Sequence, residues 1–467
     1  MEVDEGANPA LDKDQKMEDT EEEERQQQSK DDNEAGKGKQ VSSKKSVFDE
    51  ELLRVYYARL FPHDAMFRWL SYGNDPDRAD EQSQIDSDYF MRREFSFTMA
   101  DDVYIRYLCF RDASEFRQLI ERKNPHKIDI GPLYTLPPKN NKSVKAAAFK
   151  PVERELVFDI DLTDYDEVRL GCTPDMMWDR GSWLYMSVAM KIVDEALRED
   201  FGFEHLVWIF SGRRGVHCWV SDKRARQLED KERKAVVDYL TLIVGNENAA
   251  QRVQLSHPLH PEIFDKMVLS PEGQDILCEK SRWDKVLKLI PNKELRARLD
   301  SAWASDDGKD SRFRWKQLKA TTEDEIKRLS KDRSGGNKKT IALLRKVVPT
   351  ILIVFCYPRL DVNVSTHRNH LLKSPFVIHP KTGKVCVPIL DVANADAFDP
   401  NDVPTLPKLA DEINAADPNM EGPLYLQTSM KPYLEGFEKQ FLKPLYNTIK
   451  REWREANEKL AAESGDW

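Results

Sequence analysis

The chain has 467 residues, 40% of them hydrophobic and 33% charged, with a formal net charge of -10, enough apolar material for one large mixed domain or two ordinary ones. No run of 18 apolar residues occurs and the first thirty are acidic and polar, which excludes a membrane-spanning helix and a secretory signal and makes the nucleus or cytosol the expected compartment. Residues 1–45 hold 14 acids and 8 bases, so over half of the net charge lies in that stretch, and the near-neutral remainder is free to gather positive charge in one cleft.

Residues 1–47 contain Glu21-Glu22-Glu23-Glu24 and Gln26-Gln27-Gln28 and almost nothing large and apolar; this composition predicts a disordered acidic tail. From Phe48 the run LLRVYYARLF, then FRWL, repeats apolar residues at helical spacing and predicts one or two amphipathic helices. EFSFTM and VYIRYLCF, with Asp101-Asp102 between them, read as a hairpin. ELVFDIDLTDYD and HLVWIFSGRRGVHCWVSD follow as strands, separated by a helix over about 183–198, so helices and strands alternate. Residues 224–346 are charged and helical in period, with a polar patch at Lys331–Lys339, and predict an inserted helical subdomain. PTILIVFCYPRLDVNV is rich in β-branched residues and is expected to be strand. VIHPKTGKVCVPI carries a turn signal at Lys381-Thr382-Gly383, and residues 431–467 read as a C-terminal helical segment. The catalytic body is then expected to comprise residues 48–223 and 347–430.

In an extended strand alternate side chains share a face, so Asp159 and Asp161 project together while Phe158, Ile160 and Leu162 enter the core. Two carboxylates so placed repel unless a cation sits between them, and hard oxygen donors suit Mg²⁺ or Mn²⁺. The bland reading is that they end a strand and cap the next turn, as do Asp164 and Asp166. Asp361, at the edge of the second β-rich run, is expected to add a third acid from another strand. Three acids could then hold two ions, one activating a hydroxyl and one steadying a leaving pyrophosphate. Between two strand-like runs, Ser211-Gly212-Arg213-Arg214-Gly215 offers close backbone approach and two planar guanidiniums for phosphate, with His217 as a further donor; a surface hairpin turn is its bland alternative. Lys373 and His379 are placed to join the same anion site.

VFDIDLTDYD, SGRRGVHCWV, RLDVNVS and NHLLKSPFVIHPKTG, in that order, closely resemble the motifs of the catalytic subunit of eukaryotic and archaeal primases. REFSFTMADDVYIRY and KIDIG also match, so the likeness covers roughly residues 48–410. The resemblance implies a mixed α/β (α+β) primase fold with an inserted helical subdomain, and synthesis of short RNA primers on single-stranded DNA from ribonucleoside triphosphates. It implies a metal-binding triad of Asp159, Asp161 and Asp361. It implies a triphosphate set of Ser211, Arg213, Arg214, His217, Lys373 and His379. Lys127, Asp129, Glu94, Tyr104 and Arg106 match positions near the sugar, the base and the initiating nucleotide. The implied partners are a large iron-sulfur primase subunit and a replicative polymerase complex of the polymerase alpha type.

One departure stands out. The family usually carries a cysteine-rich zinc knob after a Val-Arg pair, whereas here the segment after Val168-Arg169 keeps only Cys172, and one thiolate cannot hold a structural Zn²⁺ that wants four ligands. The other cysteines (Cys109, Cys218, Cys278, Cys356 and Cys386) are far apart with no CxxC pair and read as reduced, mostly buried thiols. The rival readings are a strand-extending primase-polymerase, a two-metal nuclease and a non-catalytic scaffold. An intact acid triad and arginine pair argue against the scaffold, and a nuclease leaves Arg213, Arg214 and Lys373 without a task.

Overall fold

The computed structural model describes residues 48–74, 86–169, 180–241, 264–271, 273–305, 308–331 and 337–464. The acidic stretch 1–47, most of the 331–339 patch and Cys172 lie outside these. Residues from Val47 onward form one compact unit. The first helix, Glu50–Arg59, starts where Asp49 accepts hydrogen bonds from the Glu51 and Leu52 amides at 2.9 and 3.0 Å, satisfying donors that a helix start leaves open. Its buried face is Leu53, Tyr56 and Tyr57. The Tyr56 hydroxyl donates to the Phe376 carbonyl at 2.6 Å and that of Tyr57 to Pro125 at 2.9 Å, tying the helix to segments that flank the strands. In the next helix, His63–Ser71, Trp69 meets Trp219 edge-on and donates to Ser221 Oγ at 3.0 Å.

Two antiparallel sheets carry the chemistry. The first contains β1 (Arg93–Thr98), β2 (Tyr104–Leu108), β3 (Lys127–Tyr134) and β4 (Pro151–Glu153) in the order β2-β1-β3-β4, with the short β8 (Leu372–Lys373) also paired to β3. The β1–β2 hairpin turns where it was expected, with Asp102 in the left-handed region at φ 58°. The second sheet has the order β5-β7-β6-β9, from β5 (Leu156–Asp161), β6 (Leu206–Phe210), β7 (Gly215–Val220) and β9 (Pro388–Ile389). The crossover from β5 to β6 is the helix Arg180–Glu199. Strands β6 and β7 are buried at every position, and both sheets share one buried core with the flanking helices.

Between β7 and β8 all regular structure among the described residues is helical. This includes the stretch expected to be strand. Residues Val347–Cys356 form an α-helix and Val362–Thr366 a second, short one. The error has a physical cause: a buried run of about ten apolar residues has no polar face to reveal its period, and β-branched content alone does not decide between the two forms. Pro349 sits in the first turn, where its missing amide costs nothing. Asp361 therefore stands at a helix start and not on a strand. Farther on, the turn at Lys381-Thr382-Gly383 forms, closed by the His379 amide donating to Lys384 O and Gly383 N to His379 O, both at 2.8 Å. No described helix is long and apolar enough to cross a membrane.

The register of β5 on β7 sets Asp159 opposite His217 and Asp161 opposite Gly215. A Cβ at Gly215 would lie 2.6 Å from the Ile160 carbonyl oxygen, so the two strands approach closely only because this residue is glycine. Gly215→Ala is expected to destabilise the protein by about 1–3 kcal/mol through overpacking and to lower activity by prising Asp161 from the 211–215 turn; chemical denaturation with a parallel activity assay measures both.

Candidate active site

The acid cluster begins at the end of β5. Leu156, Phe158 and Ile160 are fully buried, which leaves the opposite face to Asp159 and Asp161. Asp161 ends the strand: its Oδ1 accepts from Thr163 N and Thr163 Oγ1, both at 2.8 Å, starting the single turn Leu162–Tyr165. Asp361 reaches the same place from the far side of the helical stretch. Its amide donates to the Asp159 carbonyl at 3.0 Å, and its Oδ1 accepts from Asn363 N at 3.0 Å and Val364 N at 3.4 Å, capping the helix Val362–Thr366. Arg359 fixes this approach, its amide donating to Tyr165 Oη at 3.0 Å and its Nη1 to the Asp164 carbonyl at 2.7 Å. The capping reading thus holds for Asp161 and Asp361. One oxygen of Asp161 and of Asp361 caps a turn, and Oδ2 of each takes no part in the cap.

Crowding shows in the electrostatics. Burial, then the charges of Asp161 and Asp361, push the Asp159 carboxyl up to about 8, with Lys373 pulling the other way. Asp164, three residues beyond Asp161, is pushed up to about 6 by loss of solvent and by the same two neighbours. From sequence Asp164 reads as a turn cap; its place beside the cluster shows only once the Leu162–Tyr165 turn is formed. Among the described residues no three His, Cys, Asp or Glu side chains are drawn together as a ready-made cage. The Asp161 and Asp361 charges nonetheless act on Asp159, and repulsion between hard oxygen donors is what a divalent cation would remove.

Facing it is a basic wall. The turn 211–215 is closed by the Ser211 amide donating to Gly215 O and Gly215 N donating to Ser211 Oγ, both at 2.9 Å. Gly212 has φ +84°, and a Cβ there would lie 2.7 Å from His379 Cβ, so the backbone of this turn sits directly against the 379–384 turn. Thr382 Oγ1 donates to Gly212 O at 2.6 Å and holds the two turns together. Arg214 Nε lies 3.7 Å from Asp161 Oδ1 and His217 Nε2 3.6 Å from Asp159 Oδ1. Burial, then Lys373, lowers His217 to about 3. Burial, then the positive charges of Lys373, Arg213, Lys127 and Lys381, lowers His379 to about 2. At neutral pH both imidazoles are uncharged, so the wall's positive charge comes from its arginines and lysines. Lys373, Arg213 and Lys127 thus lie around His379.

The first sheet closes the site. Lys373 pairs with Asp129 in the β3–β8 register, and its Nζ crosses to the Ser211 carbonyl at 3.4 Å. Lys127 begins β3, and Asp129 accepts from Ser96 Oγ at 3.0 Å. Glu94 is fully buried, its Oε1 accepting from Arg106 Nε at 3.1 Å and Tyr107 N at 3.3 Å. Tyr104 pairs with Thr98 beside the hairpin's turn. Acids, guanidiniums and lysines therefore meet at the junction of the two sheets, whereas Glu94 and Arg106 form a group of their own on the hairpin. The zinc question attached to Cys172 falls outside the described residues; Cys109, Cys218, Cys278, Cys356 and Cys386 are free thiols.

Carboxylates opposed by arginines and lysines where two antiparallel sheets meet are the arrangement a nucleotidyltransferase requires. Residues 158–390 match the family described as DNA primase small subunit. The chain is 42% identical to the DNA primase small subunit of Drosophila melanogaster over 79% of this chain and 82% of that one. It is 36% identical to that of Schizosaccharomyces pombe over 82% of each, and 33% identical to that of Saccharomyces cerevisiae over 87% and 95%. The archaeal PriS of Archaeoglobus fulgidus is 31% identical over 35% of this chain and 50% of that one. The chain belongs to the family of DNA primase small subunits.

Proposed function

We propose that this chain is the catalytic subunit of a primase and builds short RNA primers on single-stranded DNA from ribonucleoside triphosphates during initiation of DNA replication. The observation that carries the reading is the pairing of β5 with β7, which sets Asp159 against His217 and Asp161 against Gly215 and brings the neighbouring Arg214 to Asp161, because it puts the acid cluster and the basic wall within one side-chain length. Asp159, Asp161 and Asp361 would hold Mg²⁺ or Mn²⁺, which when bound supplies an activated 3'-hydroxyl and a stabilised pyrophosphate. Arg213, Arg214 and Lys373 bind the triphosphate by charge, with Ser211 and the neutral His217 and His379 contributing hydrogen bonds that orient it. Lys127 and Asp129 border the sugar. Glu94, Tyr104 and Arg106 serve the base side and the initiating nucleotide.

The name small subunit, carried by the relatives, supports a heterodimer with a large subunit. We place that partner's iron-sulfur cluster, the polymerase alpha type complex and nuclear residence in the same proposal. The test is a primer-synthesis assay on a single-stranded homopolymer, with and without the large subunit. Ribonucleotides are expected to be incorporated at the first positions; exclusive use of deoxynucleotides would favour a strand-extending primase-polymerase.

A charge-conserving change separates geometry from charge in the wall. Arg213→Lys keeps the cation but loses the planar fork, so nucleotide affinity is expected to fall about tenfold, a loss of about 1.4 kcal/mol. Titration with a non-hydrolysable ribonucleotide measures it, and unchanged affinity would speak against direct phosphate contact.

A further inference from the structure

Leading away from the acid cluster along β3, the surface changes from a triphosphate pocket to something else. Residues 131–152 contain four lysines, Lys139, Lys142, Lys145 and Lys150, and no acid. All four are exposed. The short 3-10 helix Pro138–Ser143 within this stretch packs along β2, the edge strand of the first sheet. Among the lysines lies a run of rings. Phe149 stacks on Tyr134 with centroids 4.1 Å apart and planes within 5°, and Tyr107 meets Phe149 at 6.2 Å. Tyr134 is buried and Phe149 half-buried, so the stack leads outward from the sheet.

Strand β2 is irregular beside this surface. Its pairing with β1 slips between Phe95 and Phe97, and Tyr107 takes φ 61°, a left-handed conformation unfavourable for a non-glycine residue. The Tyr107 amide donating to buried Glu94 holds it there. A bulge of this kind re-aims side chains, and here it sets the Arg106 guanidinium 5.0 Å over the Tyr107 ring. The surface is continuous with the site. A Cβ at Gly131 would touch both Glu94 Cβ and Leu371 Cγ at 3.1 Å, and Leu371 directly precedes the strand carrying Lys373. Tyr134 stands five residues along β3 from Asp129, roughly 17 Å at strand rise.

We propose that the β2 edge, the Tyr107-Phe149-Tyr134 rings and the 139–150 lysines form the track on which the single-stranded DNA template is laid toward the acid cluster. The inference rests on the primase reading given above. Exposed lysines neutralise phosphates without regard to sequence, and aromatic faces accept any unpaired base. A duplex, whose bases are already stacked, leaves the rings without a task.

The test uses the full chain and fluorescence anisotropy with a labelled oligo(dT) and an abasic strand of equal length. The combined variant Lys139→Gln, Lys142→Gln, Lys145→Gln, Lys150→Gln is expected to bind oligo(dT) at least about tenfold more weakly, with a salt slope lower by about 3. Phe149→Leu, which keeps apolar bulk, is expected to lose about fivefold or more on oligo(dT) and nothing on the abasic strand. Ribonucleotide affinity stays unchanged in both, and thermal melts confirm folding. Unchanged oligo(dT) affinity in the lysine variant, an equal loss on both strands for Phe149→Leu, or equally tight binding of duplex would overturn the track. Failure of the parent protein to make primers would instead overturn the reading beneath it, and the two failures are read from separate assays.

Discussion

Asp361→Asn is expected to lower ribonucleotide incorporation by about 10³-fold while leaving the melting temperature close to that of the parent. The separation of effects follows from how the side chain is used. Its Oδ1 caps the helix Val362–Thr366 through the Asn363 and Val364 amides, a task asparagine performs as well as aspartate. Its amide bond to the Asp159 carbonyl does not depend on the side chain. What asparagine removes is one negative charge and the anionic donor, and the charge stabilisation supplied at such sites accounts for losses of this order. Asp361→Ala removes the cap as well and should also lose about 1 kcal/mol of stability. A steady-state incorporation assay beside a thermal melt distinguishes the two roles, and near-parental activity from folded Asp361→Asn would remove this residue from the reaction.

Asp159→Asn should have a comparable effect on activity and an opposite one on stability. In the metal-free protein Asp159 is pushed up to about 8, whereas in the unfolded chain it titrates near its ordinary 3.8. The folded state therefore holds a proton that the unfolded state releases. The corresponding stability is fully present below about pH 4 and is lost as the pH rises toward 8. Asparagine carries no such penalty. In EDTA the variant is expected to melt above the parent by a margin that widens from pH 5 to pH 8. Adding Mn²⁺ at pH 8 should raise the parent's melting temperature by a few degrees and the variant's hardly at all, since the cation competes with the proton for the same oxygens. A margin that narrows with rising pH, or an equal Mn²⁺ response in both proteins, would contradict the account.

The parts of the site that are local in sequence were legible from it. Asp159 and Asp161 announce themselves by alternation against Phe158 and Ile160, and the 211–215 turn by two glycines between apolar strands, because strand period and turn chemistry act over a few residues. The conformation around Asp361 was not legible. Val347–Cys356 is buried without a polar face, so its pattern fits strand and helix equally. The helix start was hidden too, since an Asp followed by Val-Asn-Val reads as the continuation of a strand. The place of Asp361 in the site rests on a bond to the Asp159 carbonyl across some two hundred residues of chain, which no short-range pattern encodes. The same holds for Asp164, whose crowding comes from burial, then Asp161, and then the distant Asp361, and for the bulge at Tyr107, which is fixed by the buried carboxylate of Glu94 on the neighbouring strand.

Crystals grown with Mn²⁺ and a non-hydrolysable ribonucleoside triphosphate would locate the cation by its anomalous scattering. The account predicts a peak about 2.0–2.2 Å from oxygens of Asp159, Asp161 and Asp361, with the triphosphate spanning from that peak to Arg213, Arg214 and Lys373. A cation bound elsewhere, or a triphosphate that leaves those three side chains untouched, would contradict it.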